Sequence, residues 1–418
     1  MNNVPSPQPH NDVRMKGFSS RTTVEAALQW VDENSLPLTE ETIELRHGSG
    51  RVLSQAVSSR IDVPGFDRAM MDGFAVQSND TLGATPYNPL PLQIVGEVFP
   101  GRPFAGTIQR GQAVRIMTGA PMPAGADAVL PAEKTQSSGE TVLAQGEVPT
   151  QKNLGRCGED IEAESLVLTQ GRKLRPQDLG VLSSVGIGEI QVYRCPKIRI
   201  LITGNELVPS GTLPTPHKIA DANGPMLTAL VERDGGHVIN NEIIPDQEDS
   251  ILNAMQDDVD VVLVSGGSSV GLEDHAPRLL AEHGELAIHG IAMRPSSPSG
   301  MGLMDHRKLF LLPGNPVSCL CAYDFFAGRA IRQLGGRPAG WPYRRIRLPL
   351  QRKLVSQIGR VDYARVALEE EKVEPVAISG ASLLSSTTRA DGFVIIPADS
   401  EGYPPGHEIE VFLYDDKV

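Results

Sequence analysis

Between residues 196 and 337, four apolar runs alternate with stretches of helical periodicity, and this limits the fold more than any other feature of the chain. The runs IRILITG, HVINNEII, DVVLV and KLFLLPG are short and bounded by Gly, Pro, Asn or Asp, which predicts strands. NGPMLTALVERD, DSILNAMQ, APRLLAEHG and NPVSCLCAYDFFAGRAIRQL carry apolar residues three and four apart, which predicts helices. Pro225 falls in the first turn of the first of these, and Gly235-Gly236 ends it. Strands alternating with helices predict a mostly parallel sheet with helices on both faces. We assign this α/β domain to residues 191–337.

The chain has 418 residues, too many for one ordinary core. TTVEAALQWVDENSL predicts a helix capped by Thr22 or Thr23 with Glu25, and RPQDLGVLSSVGI predicts another. They assign 18–60 and 151–190 to a helical linker domain. Residues 61–150, with short runs such as LQIVGEV and QAVRIMTG among many Gly and Pro, predict a β-rich domain inserted into it. RRIRLPLQ, VDYARVAL, GFVIIPA and EIEVFLY predict a small C-terminal β domain over 338–418. Residues 1–17 are polar and Pro-rich and predict a disordered lead. The fold class expected is multidomain α/β plus β.

Composition excludes several functions. A formal net charge of -13 argues against broad nucleic-acid binding. No segment approaches the roughly 20 apolar residues of a membrane helix, and the N-terminus has no apolar core of a signal peptide. A cytoplasmic location is expected. Four cysteines fit reduced thiols. Cys319 and Cys321 stand two apart on a helix and point in different directions, so they read as small buried residues and not as metal ligands.

Ligands of open parallel sheets bind beyond the carboxyl ends of the strands. Four such ends carry unusual residues here. The first run leads to Gly204, Asn205 and Glu206. The second leads to Pro245 and Asp246, the third to Gly266, Gly267 and Ser268 and then Asp274, the fourth to Pro313, Gly314, Asn315, Pro316 and Ser318. Gly266-Gly267 lets the backbone approach a ligand with N–H groups toward an anion. Asn315-Pro316 predicts a helix N-cap and first turn, a favourable place for a phosphate. Glu206, Asp246 and Asp274 offer hard oxygens to Mg²⁺. Taken singly, each of these is an ordinary turn or a solvated carboxylate; their coincidence at the strand ends of one domain is the signal. GGSSVG lacks the lysine of a phosphate-binding P-loop, and TGNE is no dinucleotide fingerprint. Elsewhere, DVPGFDRAMMDGFAV, VRIMTGAPMPAGADAV and GRCGEDI read as stiff Pro- and Gly-punctuated loops.

PGFDRAMMDGFAV, RIMTGAPMPAGADAV, GEDI, TGNEL, SGGSSVG and LPGNPVS, in this order, resemble the molybdopterin molybdenumtransferase family (MoeA and the E domain of gephyrin). The resemblance covers almost the whole chain from about residue 18. It implies insertion of molybdate into adenylyl-molybdopterin with release of AMP and a requirement for Mg²⁺. It also implies an elongated homodimer of four-subdomain chains, one subdomain like the molybdopterin adenylyltransferase fold, with the active site between that domain and the partner's loops. Asp72, Thr118 and Asp160 match motif positions implicated in catalysis. Glu206, Asp246, Asp274, Pro313 and Pro316 match positions lining the cleft, with Glu206 and Asp274 on the Mg²⁺ side. The resemblance also implies the molybdopterin adenylyltransferase as a partner. Where the family commonly shows KPGKP, this chain has RPSSP: Arg294 keeps the first charge, and Ser297 loses the second. Arg294, Arg360 and Ser318 are left to hold an oxyanion. Two other readings compete: the adenylyltransferase reaction itself, and a non-catalytic scaffold of the same fold.

Overall fold

The computed structural model describes residues 21–267, 274–377 and 380–415. The residues 1–17 read as a disordered lead lie outside this range, as do Ser268 and Glu273. Two compact units are present: residues 42–49 with 55–191, and the other described residues.

The larger unit holds the alternating region. Helix α1 is Val24–Asn34. It is followed by β1 Lys197–Thr203, α2 Asn223–Asp234, β2 His237–Ile244, α3 Glu248–Met255, β3 Val261–Ser265 and α4 Ala276–His283. Then come β4 Glu285–His289, β5 Gly300–Met304, β6 Arg307–Leu312, α5 Pro316–Ala322 and α6 Gly328–Leu334. The sheet has six strands in the order β2-β1-β3-β6-β5-β4. The four expected strands are parallel to one another. The added edge pair, β5 and β4, is antiparallel. Its glycines concealed it in the sequence. They are required there, because a Cβ on Gly302 would stand 1.9 Å from the Glu285 carbonyl oxygen.

Side chains alternate across β1, β3 and β6. Ile198, Ile200, Ile202, Val261, Leu263, Phe310 and Leu312 face α2 and the α5–α6 segment. Leu201, Val262, Val264, Leu309 and Leu311 face α3 and α4. Each fully buried aliphatic chain contributes about 1.5–3 kcal/mol. The helix predicted from Asn315 onward is interrupted by a π-helical turn at Tyr323–Ala327.

Thr23 caps α1, its hydroxyl accepting from the Ala26 N–H at 3.2 Å. Val24, Ala27 and Val31 of α1 lie in the same core as β1 and α2. The helix therefore packs on the α/β body and not with the 151–190 segment it was grouped with. Its apolar stripe, with Glu25, Gln29 and Glu33 turned to solvent, needs a hydrophobic face to cover it.

The C-terminal strands β7 Arg344–Pro349, β8 Val361–Glu369, β9 Lys372–Ala377, β10 Gly392–Ile396 and β11 Glu408–Leu413 form a second sheet. One edge is completed by Met293–Arg294, which pairs in parallel with Val361–Asp362. Phe393 and Phe412 stack with centroids 5.0 Å apart, and Trp341 meets Phe412 edge-on at 4.7 Å. Tyr363, Phe393 and Phe412 belong to the core of the α/β body.

The smaller unit is built on a mixed six-stranded sheet with Gly73–Val76 between Ala128–Pro131 and Gln112–Ile116. Its helix is Pro176–Ser184, as predicted. Among the described residues no helix is long and apolar enough to cross a membrane.

Candidate active site

The register of the large sheet places the candidate residues at one edge. Ile202 is level with Ser265, Ser265 with Leu312, and Thr203 with Ile244. The next residues of the four strands are Gly204, Gly266, Pro313 and Pro245. The chain leaves β1 toward α2 on one face and β3 toward α4 on the other. Loops that diverge to opposite faces open a crevice at the switch point. A cavity of about 570 Å³ lies there, lined among others by Glu206, Asp246, Asp274, Gly266, Gly267 and Asn315. Pro313, Gly314 and Pro316 line it too. Ser268 falls outside the described residues.

Close approach of backbones shapes this cavity. Gly266 has φ +97°, and a Cβ there would stand 2.3 Å from the Thr203 oxygen. A Cβ on Gly314 would meet the Gly266 Cα at 3.5 Å, so the two loops almost touch. Two expected anion donors are already used. The Gly266 N–H donates to the Leu312 oxygen at 3.2 Å, and the Val317 N–H of α5 donates to the Ala381 oxygen at 3.0 Å. Asn315 occupies the N-cap position in extended conformation, but its side chain makes no capping bond. Loop closure has claimed these donors, which shifts anion binding toward side-chain cations.

Asn223, at the start of α2, was missed in the sequence. Its Nδ2 donates to Ser265 Oγ at 2.9 Å and to the Gly314 oxygen at 2.8 Å, joining the ends of β3 and β6. Its Oδ1 and Thr203 Oγ1 are buried without a hydrogen-bond partner among the described residues, and both residues line the cavity. Asp221 Oδ1 accepts from the N–H groups of Asn223 and Gly224, each at 2.9 Å, and so starts the helix. Asp246 Oδ2 accepts from the Asn205 N–H at 2.9 Å, holding the TGNE loop down.

A second hollow of about 750 Å³ shares Pro298, Pro313 and Asn315 with the first. Arg21, Arg294, Ser297, Ser318 and Arg360 line it. Arg294, which the sequence left to hold an oxyanion, is already ion-paired. Its Nε lies 3.0 Å from Asp362 Oδ1, and its Nη2 bonds Oδ2 of the same buried carboxylate. Arg21 and Asp362 had no sequence signal, one being a lone residue before a helix and the other an interior strand position. Ser297 Oγ is buried without a partner among the described residues.

In the smaller unit, Asp72 precedes Gly73–Val76 and Thr118 follows Gln112–Ile116; antiparallel pairing of Gly73 with Ile116 brings them together. The Thr118 N–H and hydroxyl both donate to Asp72 Oδ1 at 2.7 Å. These bonds, main-chain first, hold the exposed Asp72 carboxyl below its usual range. The loop before Asp72 bonds to 117–122 on one side, where the Ala69 N–H meets the Ala120 oxygen at 3.0 Å. On the other side the Met70 N–H meets the Asn153 oxygen at 2.9 Å, and the Asp160 N–H meets the Val63 oxygen at 3.0 Å. Asp160 is exposed, and among the described residues no hydrogen bond joins it to the Asp72–Thr118 pair.

No group of three or more His, Cys, Asp or Glu placed to hold a metal occurs among the described residues. The carboxylates of Glu206, Asp246 and Asp274 share one cavity, which suits an ion that keeps waters and takes part of its shell from a substrate phosphate.

The protein is of the open α/β sheet class, with an acidic crevice at its strand ends beside an arginine-lined hollow, and residues 199–333 match the family model described as "Probable molybdopterin binding domain". Residues 22–186 match the MoeA N-terminal region (domains I and II), and 347–414 the MoeA C-terminal region (domain IV). The chain belongs to the MoeA family. It is 30% identical to the molybdopterin molybdenumtransferase of Haemophilus influenzae, over 93% of this chain and 98% of that protein. It is 32% identical to molybdopterin molybdenumtransferase 2 of Mycobacterium tuberculosis, over 89% and 94%. Among solved structures it is similar to the molybdopterin biosynthesis MoeA protein of Pyrococcus horikoshii. Two crystal structures of that protein give TM-scores of 0.82 and 0.78 at 32% and 30% identity, covering 95% and 94% of this chain and 100% of theirs.

Proposed function

We propose that this chain is a molybdopterin molybdenumtransferase that inserts molybdate into adenylyl-molybdopterin, with Mg²⁺, and releases AMP. The observation that carries this reading is the pair of adjoining hollows, one acidic at the strand ends and one lined by arginines, sharing Pro298, Pro313 and Asn315. A pterin–nucleotide phosphate in the first and a tetrahedral oxyanion in the second would meet at that shared wall.

Each residue then has a role in binding or orientation. Arg21, Arg294 and Arg360 attract and orient molybdate, and the Ser297 hydroxyl is a donor for it. Asn223 Oδ1 and Thr203 Oγ1 are polar contacts for the pterin nucleotide. Glu206 and Asp274 would hold Mg²⁺, with Asp246 keeping the loop that carries Glu206 in place. Bound there, Mg²⁺ would supply positive charge to the phosphates of the anhydride. Preorganised charge of this kind is the main contribution expected from the protein. Homodimeric assembly, a cytoplasmic location and catalytic roles for Asp72, Thr118 and Asp160 belong to the same proposal.

The test is incubation of the purified protein with adenylyl-molybdopterin, Mg²⁺ and molybdate. AMP release that depends on molybdate is expected. Absence of release from folded protein contradicts the reading. Turnover of ATP with molybdopterin would instead assign the adenylyltransferase reaction.

A further inference from the structure

We infer that Asp362 is a positioning residue of the oxyanion hollow: its buried carboxylate fixes the guanidinium of Arg294 and draws Arg360 beside it. This rests on the proposed function, and it adds a residue outside the lining of both hollows.

The backbone brings the partners together first. Met293–Arg294 pairs in parallel with Val361–Asp362, with Arg294 level with Asp362. The side chains then converge. Asp362 is 0% exposed. Its Oδ1 accepts from Arg294 Nε at 3.0 Å, and its Oδ2 bonds Arg294 Nη2. Ser356 Oγ donates to Oδ2 at 2.7 Å. Arg360 Nε lies 3.4 Å from Oδ1, an ion pair without a hydrogen bond.

A buried carboxylate needs a partner, and a single bidentate arginine satisfies that need. Here a second arginine is drawn to the same oxygen, and both arginines line the hollow. Held at two points, the planar Arg294 fork has one orientation, with its entropy already lost before an anion arrives. Asp362 also offsets one of the three guanidinium charges of Arg21, Arg294 and Arg360; the orientation it gives Arg294 outweighs the attraction lost with that charge.

The test compares wild type, Asp362→Asn and Ser356→Ala, varying molybdate and adenylyl-molybdopterin separately. In Asp362→Asn the KM for molybdate should rise about tenfold, as expected when a charge-assisted bidentate pair is lost, with kcat within about twofold. The KM for the pterin nucleotide should stay unchanged. Ser356→Ala, which keeps every charge, should raise the molybdate KM about threefold, the scale of one hydrogen bond. Calorimetric titration with sodium molybdate alone should show the same ranking. An unchanged or lowered molybdate KM overturns the inference, as does a parallel loss of both KM values and kcat. If wild type releases no AMP, the proposed function fails, and the molybdate titration still decides on Asp362. If Asp362→Asn does not fold, Ser356→Ala decides.

Discussion

Thr118 gives both of its donors to one oxygen of Asp72, the N–H and the hydroxyl each 2.7 Å from Oδ1. The pair closes the end of the Gly73–Val76 and Gln112–Ile116 strands and keeps Asp72 ionised. A carboxyl whose folded pKa lies below its unfolded value adds stability above the unfolded value and loses it as pH falls through the folded one. Thr118→Val removes the hydroxyl and keeps the main-chain donor. The Asp72 pKa should then rise toward the ordinary carboxylate range, and its bond should be lost at a higher pH. Carboxyl-carbon NMR titration of the two proteins measures this directly.

The acidic cavity should be read out through the metal. Asp274→Asn and Glu206→Gln should each raise the Mg²⁺ concentration for half-maximal AMP release by about tenfold, as loss of a ligand or its support does. The molybdate KM should not move. Asp246→Asn should act more weakly on Mg²⁺, because one of its oxygens is occupied by the Asn205 N–H at 2.9 Å.

Buried charge behind the sheet should matter for stability alone. Arg233 Nη2 lies 2.8 Å from Asp234 and 3.0 Å from Asp324, and Arg332 Nη1 lies 3.0 Å from Asp234. Tyr343 OH also donates to Asp324, at 2.9 Å from Oδ2. Asp324→Ala leaves Arg233 with Asp234 alone and takes the acceptor from the buried Tyr343 hydroxyl, and should cost about 2–3 kcal/mol, below the scale of a fully broken buried pair. Denaturant unfolding measures it, and the Mg²⁺ and molybdate dependences should be retained.

The thiols should separate cleanly. Burial pushes Cys319 up to about 12 and raises Cys321 as well, and both are 0% exposed. Native protein at pH 8 should show no reaction of either with a disulfide reagent, whereas the exposed Cys157 should react, but slowly, because desolvation and the neighbouring Asp62 carboxylate raise its thiol above the ordinary range. Labelling followed by peptide mapping checks this.

Much of the α/β layer was legible because parallel buried strands read as continuous apolar runs and their helices keep a clear period. The strand ends could be aligned without coordinates, so Glu206, Asp246, Asp274 and Asn315 fell on one edge. Gly300–Met304 was not legible, since a strand made of close-approach glycines looks like a loop. The packing of α1 was not legible either, because an amphipathic stripe does not say which face covers it. Asp362 was hidden for a different reason. Within VDYARVAL it reads as one polar residue in a strand, and its meaning comes from pairing with Arg294, 68 residues away.

The most direct test of the central claim, that the ends of β1, β3 and β6 make the pterin-nucleotide site, is a fluorescence titration of adenylyl-molybdopterin against wild type and Ala220→Trp. Ala220 is exposed and lines the cavity at the strand ends, away from the sheet core. An indole there should fill the entrance and weaken binding by tenfold or more, roughly 1.4 kcal/mol, with the melting temperature unchanged. Equal binding by the two proteins, or no saturable binding by wild type, would contradict the account.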